Sequence, residues 1–203
     1  MKILSICGSP RRGNSEAILN KLKQIFEGYD IDNEILLLRE KNIERCDGCV
    51  EYCNKNLNCR KNDDMVEILE KMRNADGYVF ISPNYFKMPS GLFKNFIDRC
   101  SILFTAQTDM SNKRAIVIVV GTDETKEIDV CLRNITDNFC KTLGITVVAM
   151  RSFRSRSELK GNYNDIFENE LNPDIEKLLS GMADKLHTSL KAIGRNHSAI
   201  STK

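Results

Sequence analysis

Lys2 to Leu19, KILSICGSPRRGNSEAIL, decides how the rest of the chain is read. Lys2–Cys7 is short and mostly apolar, the pattern of a buried strand, and it runs straight into Gly8-Ser9-Pro10. Pro10 forbids continuation of the strand, and Gly8 lets the backbone turn sharply. Asn14 and Ser15 are good N-caps for a helix with apolar positions at Ile18, Leu19, Leu22, Ile25 and Phe26. Strand, tight polar loop and helix N-terminus gather backbone N–H groups around one point, which suits a phosphate. Arg11 and Arg12 add positive charge beside it. The loop has neither G-x-x-x-x-G-K-[ST] nor G-x-G-x-x-G. A mononucleotide phosphate held by hydroxyls, amides and an arginine is therefore favoured over an ordinary strand-to-helix turn with a good cap.

Four more apolar runs follow: Asn33–Leu38, Gly77–Ser82, Arg114–Val120 and Ile145–Met150. Glu34 breaks the first of these and suggests a sheet edge. Pro83 is expected to halt the second. Between the runs lie helical patterns: Met65, Val66, Ile68, Leu69 and Met72; then Leu92, Phe93, Phe96, Ile97 and Cys100; then a long helix with Ile128, Leu132, Ile135 and Phe139, closed by Gly144. Asn172-Pro173 opens a last helix carrying Ile175, Leu178, Leu179, Met182, Leu186 and Leu190, after a polar, loop-like stretch over 151–172. Five strands alternating with five helices predict an α/β domain, a doubly wound parallel sheet covered on both faces. It spans residues 1–193, with 194–203 a flexible C-terminal tail.

The 203 residues carry 30 Lys and Arg against 28 acids, a net charge of +2, which gives no reason to expect nucleic acid. The longest apolar runs are too short to span a bilayer, and the N-terminal one lacks a cleavage-like tail, so neither membrane insertion nor a signal peptide is expected. Eight cysteines without a secretion signal point to a reducing cytoplasm, where clustered thiols bind metal more often than they pair.

In a parallel sheet the strand-to-helix loops emerge at one edge, and the ligand lies where strand order reverses. Four loops converge there: 8–14, 39–62, 83–89 and 121–125. The second carries Cys46, Cys49, Cys53 and Cys59, C-x2-C-x3-C-x5-C. A segment this long without a helix pattern needs something other than core packing to order it. Soft thiolates select iron–sulfur clusters or zinc. Zinc sites usually have two pairs with a longer spacer, so the graded spacing suits a [4Fe–4S] cluster better, with zinc and free thiols left open. The third loop, SPNYFKMPSG from Ser82, brings Tyr85, Phe86 and Met88 between two prolines, which suits stacking on a flat heterocycle as well as capping of the core. Gly121-Thr122 permits close backbone approach. A phosphate cradle, an aromatic loop and a glycine at the next strand end describe a phosphorylated aromatic cofactor, and FMN, with one phosphate and one large ring, fits. Cys7, Cys100, Cys131 and Cys140 sit at core positions and need no chemistry. His187 and His197 are assigned none. Asp98-Arg99 is either an exposed pair or a brace for a neighbouring loop or subunit.

Three motifs in order, GSPRRGNS at Gly8–Ser15, the cysteine run from Cys46 to Met65, and SPNYFKMPSGLFKNFIDR at Ser82–Arg99, resemble the flavodoxin-like NAD(P)H-dependent FMN reductases, most closely the iron–sulfur flavoprotein branch. The resemblance implies five parallel strands in the order 2-1-3-4-5. It also implies FMN phosphate on Ser9, Arg11, Asn14 and Ser15, the ring and ribityl chain along Pro83, Asn84, Tyr85 and Phe86, and Gly121 approaching the ring. Cys46, Cys49, Cys53 and Cys59 would be the metal ligands. The implied function is FMN-dependent NAD(P)H oxidoreduction, with small-molecule or protein electron donors and acceptors and a homodimer or homotetramer. No side-chain acid is required for catalysis. Rival expectations are a non-enzymatic electron carrier and a zinc-binding interaction domain on the same frame. Two departures stand out. Val50, Glu51 and Tyr52 make three residues where the branch usually has two between its second and third cysteines, and Asn84 replaces a commonly aliphatic residue.

Overall fold

Strands form on the short apolar runs, and helices fill the intervals between them. A computed structural model describes residues 1–155, 171 and 173–200. In chain order the elements are β1 (Lys2–Cys7), α1 (Asn14–Glu27), β2 (Asp32–Leu37), α2 (Val50–Asn56), α3 (Met65–Asn74), β3 (Gly77–Tyr85), β4 (Met88–Pro89), α4 (Gly91–Arg99), α5 (Ser101–Thr105), β5 (Arg114–Gly121), α6 (Thr125–Arg133), β6 (Thr146–Arg154) and α7 (Pro173–Ile200). The five long strands are parallel in the order β2-β1-β3-β5-β6, which is 2-1-3-4-5 when the two-residue β4 is set aside. β4 folds back antiparallel on the end of β3, pairing Asn84 with Pro89 and Tyr85 with Met88. β2, with Glu34, is an edge strand as expected.

Alternation along the strands divides the core in two. Leu4, Ile6, Tyr78, Phe80, Ala115, Val117 and Val119 face α3, α4, α5 and α6. Ile3, Val79, Ile81, Ile116, Ile118 and Val120 face α1 and α7. On the first side Phe80 meets Phe139 edge-on at 5.4 Å between ring centres, and Phe93 lies 5.5 Å from Phe96. Burial on both faces explains the unbroken apolar runs Tyr78–Ile81 of β3 and Ala115–Val120 of β5.

Several boundaries differ from expectation. Pro83 does not end β3, which continues to Tyr85 with Pro83 opposite Val120. β1 stops pairing at Cys7 opposite Ile81, so beyond that point β3 has β5 as its only long neighbour and a missing N–H costs little. β6 runs to Arg154, through the first residues expected as loop, because Ser152 and Phe153 are buried. The remainder of that polar stretch, 156–170 and 172, lies outside the described residues. The cysteine segment does contain a helix, α2. The long helix expected to end at Gly144 divides, with α6 passing at Asn134 into a π-helical stretch through Cys140. α7 continues to Ile200, past the Gly194 where the tail was expected to begin. Among the described residues no helix is long and apolar enough to cross a membrane.

Candidate functional site

Because all five long strands are parallel, β1, β3, β5 and β6 deliver their C-terminal ends to one edge, and the chain there is locked side to side. Gly8 N donates to Ile81 O at 2.8 Å. Ser90 Oγ donates to Gly8 O at 2.5 Å and accepts from Phe93 N at 3.2 Å, so the cap of α4 also fastens the first loop. Ser90 N donates to Ser82 Oγ at 3.0 Å. A Cβ on Gly8 would lie 2.6 Å from Phe93 Cβ, so this glycine is required for contact with α4 as much as for the turn.

A cleft of about 170 Å³ opens at this edge. Ser9, Arg11, Asn14 and Ser15 line it from the first loop, Pro83, Asn84 and Tyr85 from the third, and Gly121 from the fourth. Thr122, expected beside Gly121, lines it too, and Gly13, Val120 and Ser155, which complete it, were missed in the sequence. Ser155 was hidden because β6 was expected to end at Met150. Phe86 is not among the lining residues: its side chain is 99% exposed at the tip of the β3–β4 hairpin. Phe86 and Lys87 have φ of 53° and 65°, the two left-handed central residues of a tight primed hairpin turn, without the usual Asn-Gly to ease it. Lys87 is held to Glu127 at 2.6 Å, and its carbonyl accepts from Asn134 Nδ2 at 3.0 Å.

The cap of α1 is Gly13, not Asn14 or Ser15, and no side chain caps it. Glu16 N and Ala17 N both donate to Gly13 O at 3.0 Å, while Asn14 and Ser15 occupy the first helical turn, whose N–H groups have no intrahelical acceptor. Asn14 Oδ1 is buried without a partner. Ser9 Oγ donates to Arg11 O at 2.7 Å, which folds the loop back over the helix end. The arrangement fits an anion: dipole, amides, hydroxyls and the Arg11 side chain share one wall. At about 170 Å³ the cleft is smaller than the ~300–1,000 Å³ of enclosed ligand sites, the size of a cradle for a phosphate and its tail rather than for a whole ring. A larger groove of about 1030 Å³ runs along β2 and α3, away from the strand C-termini, and is walled by charged side chains such as Glu34, Glu67 and Lys71 that already pair with one another.

In the cysteine segment, Cys46 is exposed and Cys49, Cys53 and Cys59 are half-buried, all four as free thiols. The three-residue spacer puts Cys49 and Cys53 one helical turn apart at the head of α2, with Sγ atoms 3.9 Å from each other. Burial, then the Cys49 neighbour, raises the Cys53 thiol, and Cys59 and Cys46 act on it in the same direction, so the four sulfurs share one neighbourhood. No three His, Cys, Asp or Glu side chains among the described residues are grouped to chelate a single ion. A cubane cluster draws on four thiolates spread around its corners, and that donor set is present. The remaining thiols behave as core: burial raises Cys7 to about 11 and Cys131 and Cys140 to about 12.

Strand order, cleft position and helix end together define a flavodoxin-like domain with a cleft at its switch point. Residues 1–154 match the NADPH-dependent FMN reductase family, and the chain belongs to that family. It is 35% identical over 122 residues to an iron-sulfur flavoprotein of Archaeoglobus fulgidus, covering 60% of this chain and 62% of that one. It is 36% identical over 100 residues to an iron-sulfur flavoprotein of Methanocaldococcus jannaschii, covering 49% and 51%. The match thus spans about half to three-fifths of these relatives' length. In fold it resembles an NAD(P)H:quinone oxidoreductase from Methanothermobacter marburgensis, with a TM-score of 0.65, 14% identity, and coverage of 95% of this chain and 96% of that one.

Proposed function

We propose that the chain is an FMN-dependent NAD(P)H oxidoreductase whose cysteine segment holds a [4Fe–4S] cluster. The observation that carries the flavin is the single cleft where the α1 N-terminus, the Pro83–Tyr85 segment and Gly121 meet. Ser9, Arg11, Asn14 and Ser15 hold the phosphate there, with the ring along Pro83, Asn84 and Tyr85. Phe86, on the exposed hairpin tip, stands where it can cover the outer face of that ring or meet a second subunit. Bound FMN supplies the redox chemistry, accepting hydride from NAD(P)H and yielding electrons to a small-molecule or protein acceptor. The chain's own part is to orient and shield: the backbone amides at the strand ends offer donors to a negatively charged ring, and no side-chain acid or base is needed. Four thiols at one loop support the cluster, and exposed Phe86, Met88 and Phe104 support a homodimer or homotetramer.

Protein purified without air tests both parts. Flavin absorption with about one FMN released per chain, oxidation of NADH or NADPH with a quinone or free flavin, and iron with acid-labile sulfide are the expected results. A protein that binds no FMN from a solution of it ends the flavin assignment. FMN binding without turnover on either nicotinamide leaves an electron carrier instead.

A further inference from the structure

The last residue of α4 is an arginine kept almost completely dry. The side chains of Arg99 and Asp63 are each 1% exposed, and they pair twice, Nη1 with Oδ2 at 2.5 Å and Nη2 with Oδ1 at 2.9 Å. Nη1 also donates to Glu44 O at 2.8 Å. Asp63 accepts from Glu44 N at 2.9 Å and from Met65 N at 3.1 Å. Glu44 precedes Cys46 and Asp63 follows Cys59, so one ion pair fastens both stems of the cysteine segment to α4.

One donor is unspent. Arg99 Nε is buried and has no hydrogen-bond partner. A buried charge is tolerated when its hydrogen-bonding capacity is used, and an unmatched N–H on it is a defect if the arginine is a brace and nothing more. The group beside the guanidinium is the Cys59 side chain, which interacts with it directly; burial opposes the charge on Arg99, and Asp63 and Cys59 together outweigh that opposition.

We propose that Arg99 is the positioning residue of the cysteine site: it fixes Cys59 and gives its remaining N–H to a sulfur of the cluster, whose negative charge it faces as a buried cation. This rests on the cysteine segment holding an iron–sulfur cluster. Hydrogen bonds to sulfur and nearby charge are among the levers that set a cluster's potential, and they act in the same direction here, favouring the reduced, more negative state.

The test uses the full chain, loaded anaerobically with ferrous iron and sulfide. Arg99→Lys keeps the charge beside Asp63 and loses Nε. Arg99→Met combined with Asp63→Leu removes the pair without stranding either charge. Readouts are iron and sulfide per chain, the cluster's midpoint potential, and FMN content as a check on the fold. Arg99→Lys should retain FMN and shift the cluster's reduction equilibrium at least tenfold toward the oxidised form, which is 59 mV for a one-electron couple. The double variant should retain FMN and hold less iron and sulfide. A parent-like midpoint potential in Arg99→Lys, whatever the iron content of the double variant, would reduce Arg99 to a brace and overturn the proposal. A parent chain that takes up FMN but no iron and sulfide defeats the cysteine-site assignment itself, and this proposal with it.

Discussion

Asn84 donates through Nδ2 to Asp123 Oδ2 at 2.7 Å, so the third and fourth loops of the cleft meet through a pair of side chains. A carboxylate only accepts, which fixes the Asn84 amide with its nitrogen toward Asp123. Oδ1 is left buried and without a partner. The Asn84 side chain is thereby held in one orientation by a residue outside the cleft lining.

Asp123→Ala should therefore loosen the Pro83–Tyr85 wall without touching the phosphate end. Its expected cost to FMN binding is about 0.5–1.5 kcal/mol, the worth of one hydrogen bond. Titration of FMN fluorescence measures this, and an unchanged Kd would separate Asn84 from the ligand.

Arg11→Ala acts at the other end of the cleft. If its side chain meets the phosphate, FMN affinity falls by ~1–3 kcal/mol, a charge-assisted bond being stronger than a neutral one. The loss should shrink for riboflavin, which has no phosphate, and equal losses for both ligands would reject the assignment.

Cys49→Ser should abolish iron and sulfide retention while leaving FMN bound, because Cys49 lies at the head of α2 and does not line the cleft. Metal analysis beside flavin release decides it. Loss of both would mean that the two sites are not separable.

Gly8→Ala tests the junction of β1 and α4. Its new methyl would sit 2.6 Å from Phe93 Cβ and 2.8 Å from Phe93 Cδ2, and a Cβ cannot swing aside. Overpacking of this kind costs about 1–3 kcal/mol, read from chemical denaturation. A parent-like midpoint would show that α4 can retreat freely.

Acid should weaken the fold through Asp63. Burial alone would raise its pKa, but the Arg99 pair and the Glu44 and Met65 amides override that and hold it below the usual carboxylate value. A depressed folded value stabilises the native state above the unfolded value of about 3.9, and the contribution is lost as pH falls from there through the folded value. The stability gap between the parent and Asp63→Asn should stay constant near neutrality and narrow below about pH 4. A gap that does not change in acid would mean that Asp63 is not ionised in the fold.

The sheet and most of the cleft were readable because both follow from local chemistry. Apolar runs such as Arg114–Val120 mark strands whatever surrounds them, and the GSPRRGNS loop announces a helix end that faces a strand terminus. What escaped depended on neighbours far away in sequence. Pro83 looked like a terminator because nothing local shows that β1 ends at Cys7, leaving that part of β3 with one long partner. Phe86 looked like a cleft residue because spacing cannot reveal a hairpin turn that throws its ring outward. Arg99 was recognised as a potential brace, but its partner, 36 positions away, could not be named from sequence. Ser155 had no signal beyond the buried Phe153 before it.

α4 begins at the serine that grips the Gly8 loop and finishes at the arginine that grips the stems of the cysteine segment. A single stiff rod of nine residues, ~1.5 Å per residue, thus sets the separation of the two grips. Loop motion cannot change that interval, so any traffic between the two ends runs over a fixed gauge, and lengthening or shortening the rod by one residue would turn one grip away from its target.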